Sequence, residues 1–249
     1  MRASSIIDTL ARTLIVNGVR HTSSARALGR PIPRSRGWVW RASALVVAAG
    51  SSGAAVVLTM LVRSGRFARF DQHSVSHWMP WLEPTPTTGL HGLVAPETRQ
   101  ATWGTVVALG TFPASVVVSG SLVLAVVVLL WLRGRRRSSI VLADIWIAAN
   151  VIELLGKHLV TRPTLHETTW GYHGVLGGLR DSLPSGHVIR ALVLATALAA
   201  LERAGRLAYL WALAVPVGVV TIGDHTPTDA AVGLAVGIAL IVIYQAAVD

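Results

Sequence analysis

Six long apolar runs, separated by short stretches rich in arginine, glycine or proline, set the pattern of this chain. The first three run from about Trp38 to Val62, Ala101 to Leu132 and Ser139 to Val160. The others cover Pro184 to Leu201, Leu207 to Gly223 and Pro227 to Ala247. A helix needs about 20 apolar residues to cross the hydrocarbon layer, so the pattern predicts an all-α, six-span transmembrane helix bundle. Several runs fall short of that length, which leaves their ends soft. Pro113 interrupts the second run and predicts a kink or a separate short segment there. Between the first two runs, Phe67, Phe70, Val75, Trp78 and Trp81 predict a short interfacial helix, followed by the turn formers Pro84, Pro86 and Pro96. Gly233 and Gly237 in the last run form a small-xxx-small pair, the mark of close helix packing.

Composition agrees with the pattern. The 249 residues are 52% hydrophobic and 14% charged, against about 25% charged in a soluble domain. There is no cysteine, hence no disulfide frame and no thiolate metal site. The net charge of +10 does not call for nucleic acid, because the arginines gather in the leader and in the turns between apolar runs. Residues 1–37 carry Arg2, Arg12, Arg20, Arg26, Arg30, Arg34 and Arg36 against Asp8 alone. They read as a basic, poorly ordered cytoplasmic leader drawn to anionic lipid, before a membrane domain over 38–249. This leader, the Arg133–Arg137 cluster and the Arg203/Arg206 turn are each two spans apart, and so share one side. The positive-inside rule makes that side cytoplasmic, with both termini. No internal repeat is visible. An arginine-rich, lysine-poor chain without cysteine suits a bacterial plasma membrane.

Three polar islands then fall together on the opposite, extracytoplasmic face. They are Lys157–Pro163, Ser182–His187 (Ser-Leu-Pro-Ser-Gly-His) and Asp224–Asp229 (Asp-His-Thr-Pro-Thr-Asp). The middle one joins a hydroxyl (Ser185), an unobstructed backbone N–H (Gly186) and an imidazole (His187) where a loop becomes a helix. That is a place to grip a phosphate and hand a proton to a leaving group.

Lys157 is the only lysine, and it shares a helix face with Glu153 and Asn150. Glu153 either holds Lys157 towards a bound phosphate or pairs with it to lock the bundle. His225 and Asp229 stand at i and i+4, with Thr226 placed to cap the helix and Pro227 at its first position. A carboxylate there can take one ring N–H and leave the other nitrogen nucleophilic; a capping box with an incidental histidine is the plainer reading. His187, His225 and Asp229 also make a three-ligand set for zinc, but the cations Lys157 and Arg162 disfavour a metal. The loop 165–181, with His166, Glu167, Trp170, Tyr172 and His173, reads as interfacial anchoring or as a head-group entrance.

Together these residues resemble the type 2 phosphatidic acid phosphatase family. Its signature is a lysine followed after six residues by Arg-Pro, then Pro-Ser-Gly-His, then Ser-Arg, five residues, His, three residues and Asp. The resemblance covers roughly residues 67–245 and implies an integral membrane lipid phosphatase that needs no metal or other cofactor. It implies His225 as the nucleophile forming a phosphohistidine, Asp229 as its orienter and His187 as the acid for the leaving oxygen. Lys157, Ser185 and Gly186 would bind the phosphoryl oxygens. The chain departs from the signature in two places: Thr164-Leu165 stand at the first Arg-Pro position, with Arg162-Pro163 two residues early, and Gly218-Val219 replace Ser-Arg. Arg162 and Arg190 are the candidate replacements for the two absent arginines, with Arg180 beside Asp181 as a third candidate; an ion pair of Arg190 with a residue such as Asp224 or Asp144 is the structural alternative. The substrate expected is a polyprenyl diphosphate, phosphatidic acid or phosphatidylglycerol phosphate. A phosphoryl transferase using the same site, or a degenerate phospholipid-binding protein, are the competing readings. Oligomeric state is left open.

Overall fold

A computed structural model describes residues 34–78, 102–163, 182–222 and 224–248. The basic leader up to residue 33, Trp81 with the proline-rich stretch, and the 165–181 loop with Arg180 lie outside the described residues. The chain divides into two units, residues 1–43 and 44–249, and the helix packing and the candidate site belong to the second.

Among the described residues every regular element is helical. The helices are α1 (Arg34–Arg63), α2 (Ala68–Trp78), α3 (Thr102–Thr111), α4 (Val116–Leu132), α5 (Arg136–Leu159), α6 (Gly186–Leu201), α7 (Ala208–Thr221) and α8 (Pro227–Val248). Four segments are long and apolar enough to cross a membrane: Trp40–Arg63, Arg136–Leu159, Arg203–Thr221 and Pro227–Val248. A fifth is the bent pair Val106–Ala114 and Val116–Leu132, with a 51° angle between its halves. The bend falls at the Phe112–Ala114 turn that contains Pro113, where the proline ring and its missing N–H break the helix.

The fourth expected span is the short one. Helix α6 has 16 residues, about 24 Å at 1.5 Å per residue, less than the ~30 Å of a hydrocarbon core. Its length follows from its place. Apart from His187, Arg190 and Thr196 its sequence is apolar on all faces, and a helix of that kind is buried on every side. Residues 186–197 are buried with His187 alone partly open, and α4, α5, α7 and α8 all pack on it. Val188 and Leu192 face Ala212, Val215, Val219 and Ile241, while Ile189 and Val193 face Val123, Leu142, Ile145 and Leu240. The outer faces of α1, α4, α5 and α7 expose Leu45, Met60, Leu124, Ile147, Leu155, Leu213 and Val217, the surface a bilayer would cover.

Two features fix the ends of this bundle. At one end the Arg135 guanidinium donates to the Ala200 carbonyl, which sets the Arg133–Arg137 turn beside the Arg203/Arg206 turn, as charge counting expected. At the other end Gly233 and Gly237 let α8 approach the start of α6. A methyl on Gly233 would lie 2.7 Å from the Ser185 carbonyl oxygen, and one on Gly237 would collide with Leu192. Gly233→Ala therefore has to push α8 away from the Ser185 loop. Overpacking of this kind costs about 1–3 kcal/mol, and the variant should melt lower and lose more activity than stability.

Candidate active site

The end of α5, the start of α6 and the start of α8 meet at the end of the bundle remote from the arginine turns. Helix α6 begins at Gly186, after the cis bond between Leu183 and Pro184. Two contacts hold this loop. The Ser185 N–H donates to the Asp229 carbonyl over 3.1 Å, and Gly156 of α5 is so close to Pro184 that no Cβ would fit between them. Ser185 does not cap α6 with its hydroxyl; that oxygen is buried and without a hydrogen-bond partner. A buried hydroxyl without a partner beside an uncapped helix N-terminus is suited to an anion.

The two imidazoles converge. The rings of His187 and His225 stand 6.1 Å apart at 66°. His225 is fixed through its backbone: its N–H and that of Asp224 both donate to the Val219 carbonyl, over 3.2 and 3.0 Å. Thus Val219, at the position where the signature has arginine, contributes an anchor for His225 instead of a cation. Burial pushes the Asp224 carboxyl up from its ordinary value, with the charges of His225 and Lys157 pulling the other way.

Asp229 is more occupied than its spacing suggested. Thr226 and Asp229 form the capping box: the Thr226 N–H donates to Asp229 Oδ2 at 2.9 Å, and the Asp229 N–H to Thr226 Oγ1 at 3.3 Å. Ser182 Oγ donates to the same Oδ2 at 2.6 Å, and Arg162 Nη1 to Oδ1 at 3.0 Å. His225 Nδ1 lies 3.9 Å from Oδ2, beyond hydrogen-bonding reach, and is buried without a partner. The expected Asp229–His225 bond is therefore an approach in this structure and not a closed bond.

Arg162, expected among the phosphate-gripping side chains, has other partners. Its Nη2 meets Asp71 Oδ2 at 2.5 Å, and its Nη1 meets Asp229 and Thr226 Oγ1 (2.9 Å). Asp71 in turn accepts from the Thr228 hydroxyl at 2.6 Å. Burial raises the Asp71 carboxyl above its ordinary value, opposed by the Thr228 hydrogen bond and the Arg162 charge. Asp71 and Asp229 are both 0% exposed, so one guanidinium neutralises two fully buried acids. Asp71 and Ser182 are the site residues that sequence reasoning missed. Asp71 left one signal, as the lone acid that follows Arg63, Arg66 and Arg69 in sequence.

Arg190 pairs with neither Asp224 nor Asp144. Its Nη1 meets the Glu153 carboxylate, and its Nε donates to the Ala114 carbonyl at 2.8 Å, an acceptor left over at the helix break beside Pro113. Glu153 also accepts from Lys157 Nζ at 2.7 Å, so two of the expected phosphate ligands, Lys157 and Arg190, converge on one carboxylate. That carboxylate rests directly against Gly186. No group of three or more His, Asp or Glu able to hold a metal is present among the described residues.

The family model for the PAP2 superfamily matches residues 141–249. No curated protein sequence matches the chain. Among solved structures, the fold is similar to the crystal structure of the first transmembrane PAP2 type phosphatidylglycerolphosphate phosphatase from Bacillus subtilis. The TM-score is 0.55 at 14% identity, over 80% of this chain and 94% of that one. The segment matched by the PAP2 superfamily model, residues 141–249, is the one that carries Lys157, Arg162, Ser185, His187, Arg190, His225 and Asp229.

Proposed function

We propose that this protein is an integral membrane phosphatase that hydrolyses a lipid phosphate or diphosphate through a phosphohistidine on His225, without a metal ion. The observation that carries the reading is the set of groups around the start of α6. The unpartnered hydroxyl of Ser185, the uncapped N-terminus at Gly186, the ammonium of Lys157 and two facing imidazoles stand together at one end of the bundle. A phosphoryl group seated there meets N–H donors and cations on one side and His225 on the other. Arg190 adds charge from behind Glu153, while Arg162 acts through Asp229 and does not touch the phosphate.

In the first step a ring nitrogen of His225 attacks phosphorus, the N–P bond forms and the P–O bond to the leaving group breaks. His187 gives its proton to the departing oxygen. In the second step His187 takes a proton from water, whose oxygen attacks phosphorus and frees His225 as inorganic phosphate departs. Asp229 turns the imidazole and stabilises its charged form, which requires closing the 3.9 Å gap to Nδ1. Catalytic hydrogen bonds often tighten only once substrate is bound.

The lipid tail stays among the spans while the head group enters from the extracytoplasmic face of a bacterial plasma membrane. Phosphatidylglycerol phosphate, the substrate in the name of the structural neighbour, phosphatidic acid and a polyprenyl diphosphate are the substrates to compare. Detergent-solubilised protein should release phosphate from at least one of them with chelator present. Release only on adding a divalent metal would overturn the metal-free mechanism. Lipid binding without release from any of the three would favour the degenerate, non-catalytic reading.

A further inference from the structure

We infer that Glu153 is a resident counter-anion of the phosphate cradle, competing with the substrate's phosphoryl group for Lys157 and Arg190 and so setting the affinity of the site. This rests on the phosphatase reading above and adds a specificity-determining residue to it. The geometry is direct. One carboxylate oxygen of Glu153 takes Lys157 Nζ at 2.7 Å and the other takes Arg190 Nη1. The carboxyl group fills the space over the first residue of α6, where even a methyl on Gly186 would overlap it. It is thus an anion placed at a helix N-terminus between two cations, which is the position a phosphoryl group needs.

Asp229 does not compete for this place, because Ser182, Thr226 and Arg162 already hold it. Glu153 leaves one binding group unused: Ser185 Oγ stays buried and unpartnered with the carboxylate in place. A phosphoryl group carries more charge and more oxygens than a carboxylate, so it can satisfy Lys157, Arg190 and Ser185 together. It cannot do so with Glu153 in the same seat. Substrate must displace the carboxylate or bind against its repulsion, and the measured affinity is the difference between the two anions.

A purely structural clamp predicts the reverse. If Glu153 only held Lys157 and Arg190 in position, removing its charge would scatter them and weaken phosphate binding. The experiment compares full-length wild type and Glu153→Gln in detergent. It reads the inhibition constant for inorganic phosphate, KM for the lipid phosphate, and the rise in melting temperature that inorganic phosphate produces. The variant should melt lower without phosphate and gain more from it. The inhibition constant and KM should fall together, by about tenfold, the equivalent of 1.4 kcal/mol. An unchanged or higher inhibition constant overturns the inference while leaving the phosphatase reading intact. Absence of phosphate inhibition and of phosphate stabilisation in both proteins overturns both. Should Glu153→Gln fail to fold, Glu153→Asp withdraws the carboxylate by one methylene. It should then show an intermediate fall, and no fall would equally overturn the inference.

Discussion

His225→Ala is expected to lower phosphate release by about 10⁴-fold or more, the scale on which single nucleophile removals act, while the protein still folds. The imidazole makes no hydrogen bond in the resting structure, with Nδ1 buried and unpartnered, so its removal breaks no network. The backbone bond from His225 N–H to the Val219 carbonyl survives the substitution. In the proposed mechanism His187 serves proton transfer, so nothing in the cradle replaces the lost nitrogen. His187→Ala should behave differently. A general acid contributes about 10²–10⁴-fold, and only as far as the leaving group needs its proton. An alkoxide leaving from a monoester needs it far more than a phosphate leaving from a diphosphate. The ratio of His187→Ala effects on phosphatidic acid and on a polyprenyl diphosphate therefore checks the role. Equal losses on both substrates would argue against proton donation by His187. Retained activity in His225→Ala would remove the phosphohistidine.

What the sequence made legible was set by periodicity and parity. Turns two spans apart must share a side, which put Lys157, Ser185 and His225 on one face before any contact was known. The Pro113 break and the Gly233/Gly237 approach are local effects of missing atoms, and both were readable from single residues. The Glu153–Lys157 pair is likewise one helical turn, and it forms. Pairings across the bundle were not legible. Arg190 and Glu153 are 37 residues apart, and Arg162 and Asp71 are 91 apart. A buried arginine must meet an acid, but the hydrophobic pattern of each span does not say which face turns to which neighbour. Length and composition alone do not mark α6 as a span, for a related reason. Apolar length measures burial, and this helix is buried by protein on every side, so its 16 residues need not match a bilayer.

Arg162→Ala should be the most destabilising single substitution in the site, and it separates the observed role of this residue from the one its spacing suggested. Breaking one partner from a buried ion pair costs about 3–5 kcal/mol. Here the loss leaves two acids, Asp71 and Asp229, both 0% exposed, facing each other's charge without a cation. The expected outcome is a loss of at least that size, seen as collapse of folded yield or a large fall in melting temperature, with activity lost alongside. Arg162→Lys keeps a positive charge but not the planar fork that reaches Asp71 through one nitrogen and Asp229 and Thr226 through the other. It should fold, melt well below wild type, and release phosphate slowly because Asp229 is no longer held. Removing Asp71 as well tests the assignment most sharply. If Arg162 and Asp71 are partners, the double variant Asp71→Ala with Arg162→Ala is less unstable than the sum of the two single losses. A phosphate-gripping arginine gives the opposite pattern: Arg162→Ala would then weaken inhibition by inorganic phosphate, leave the melting temperature near wild type, and show no coupling to Asp71.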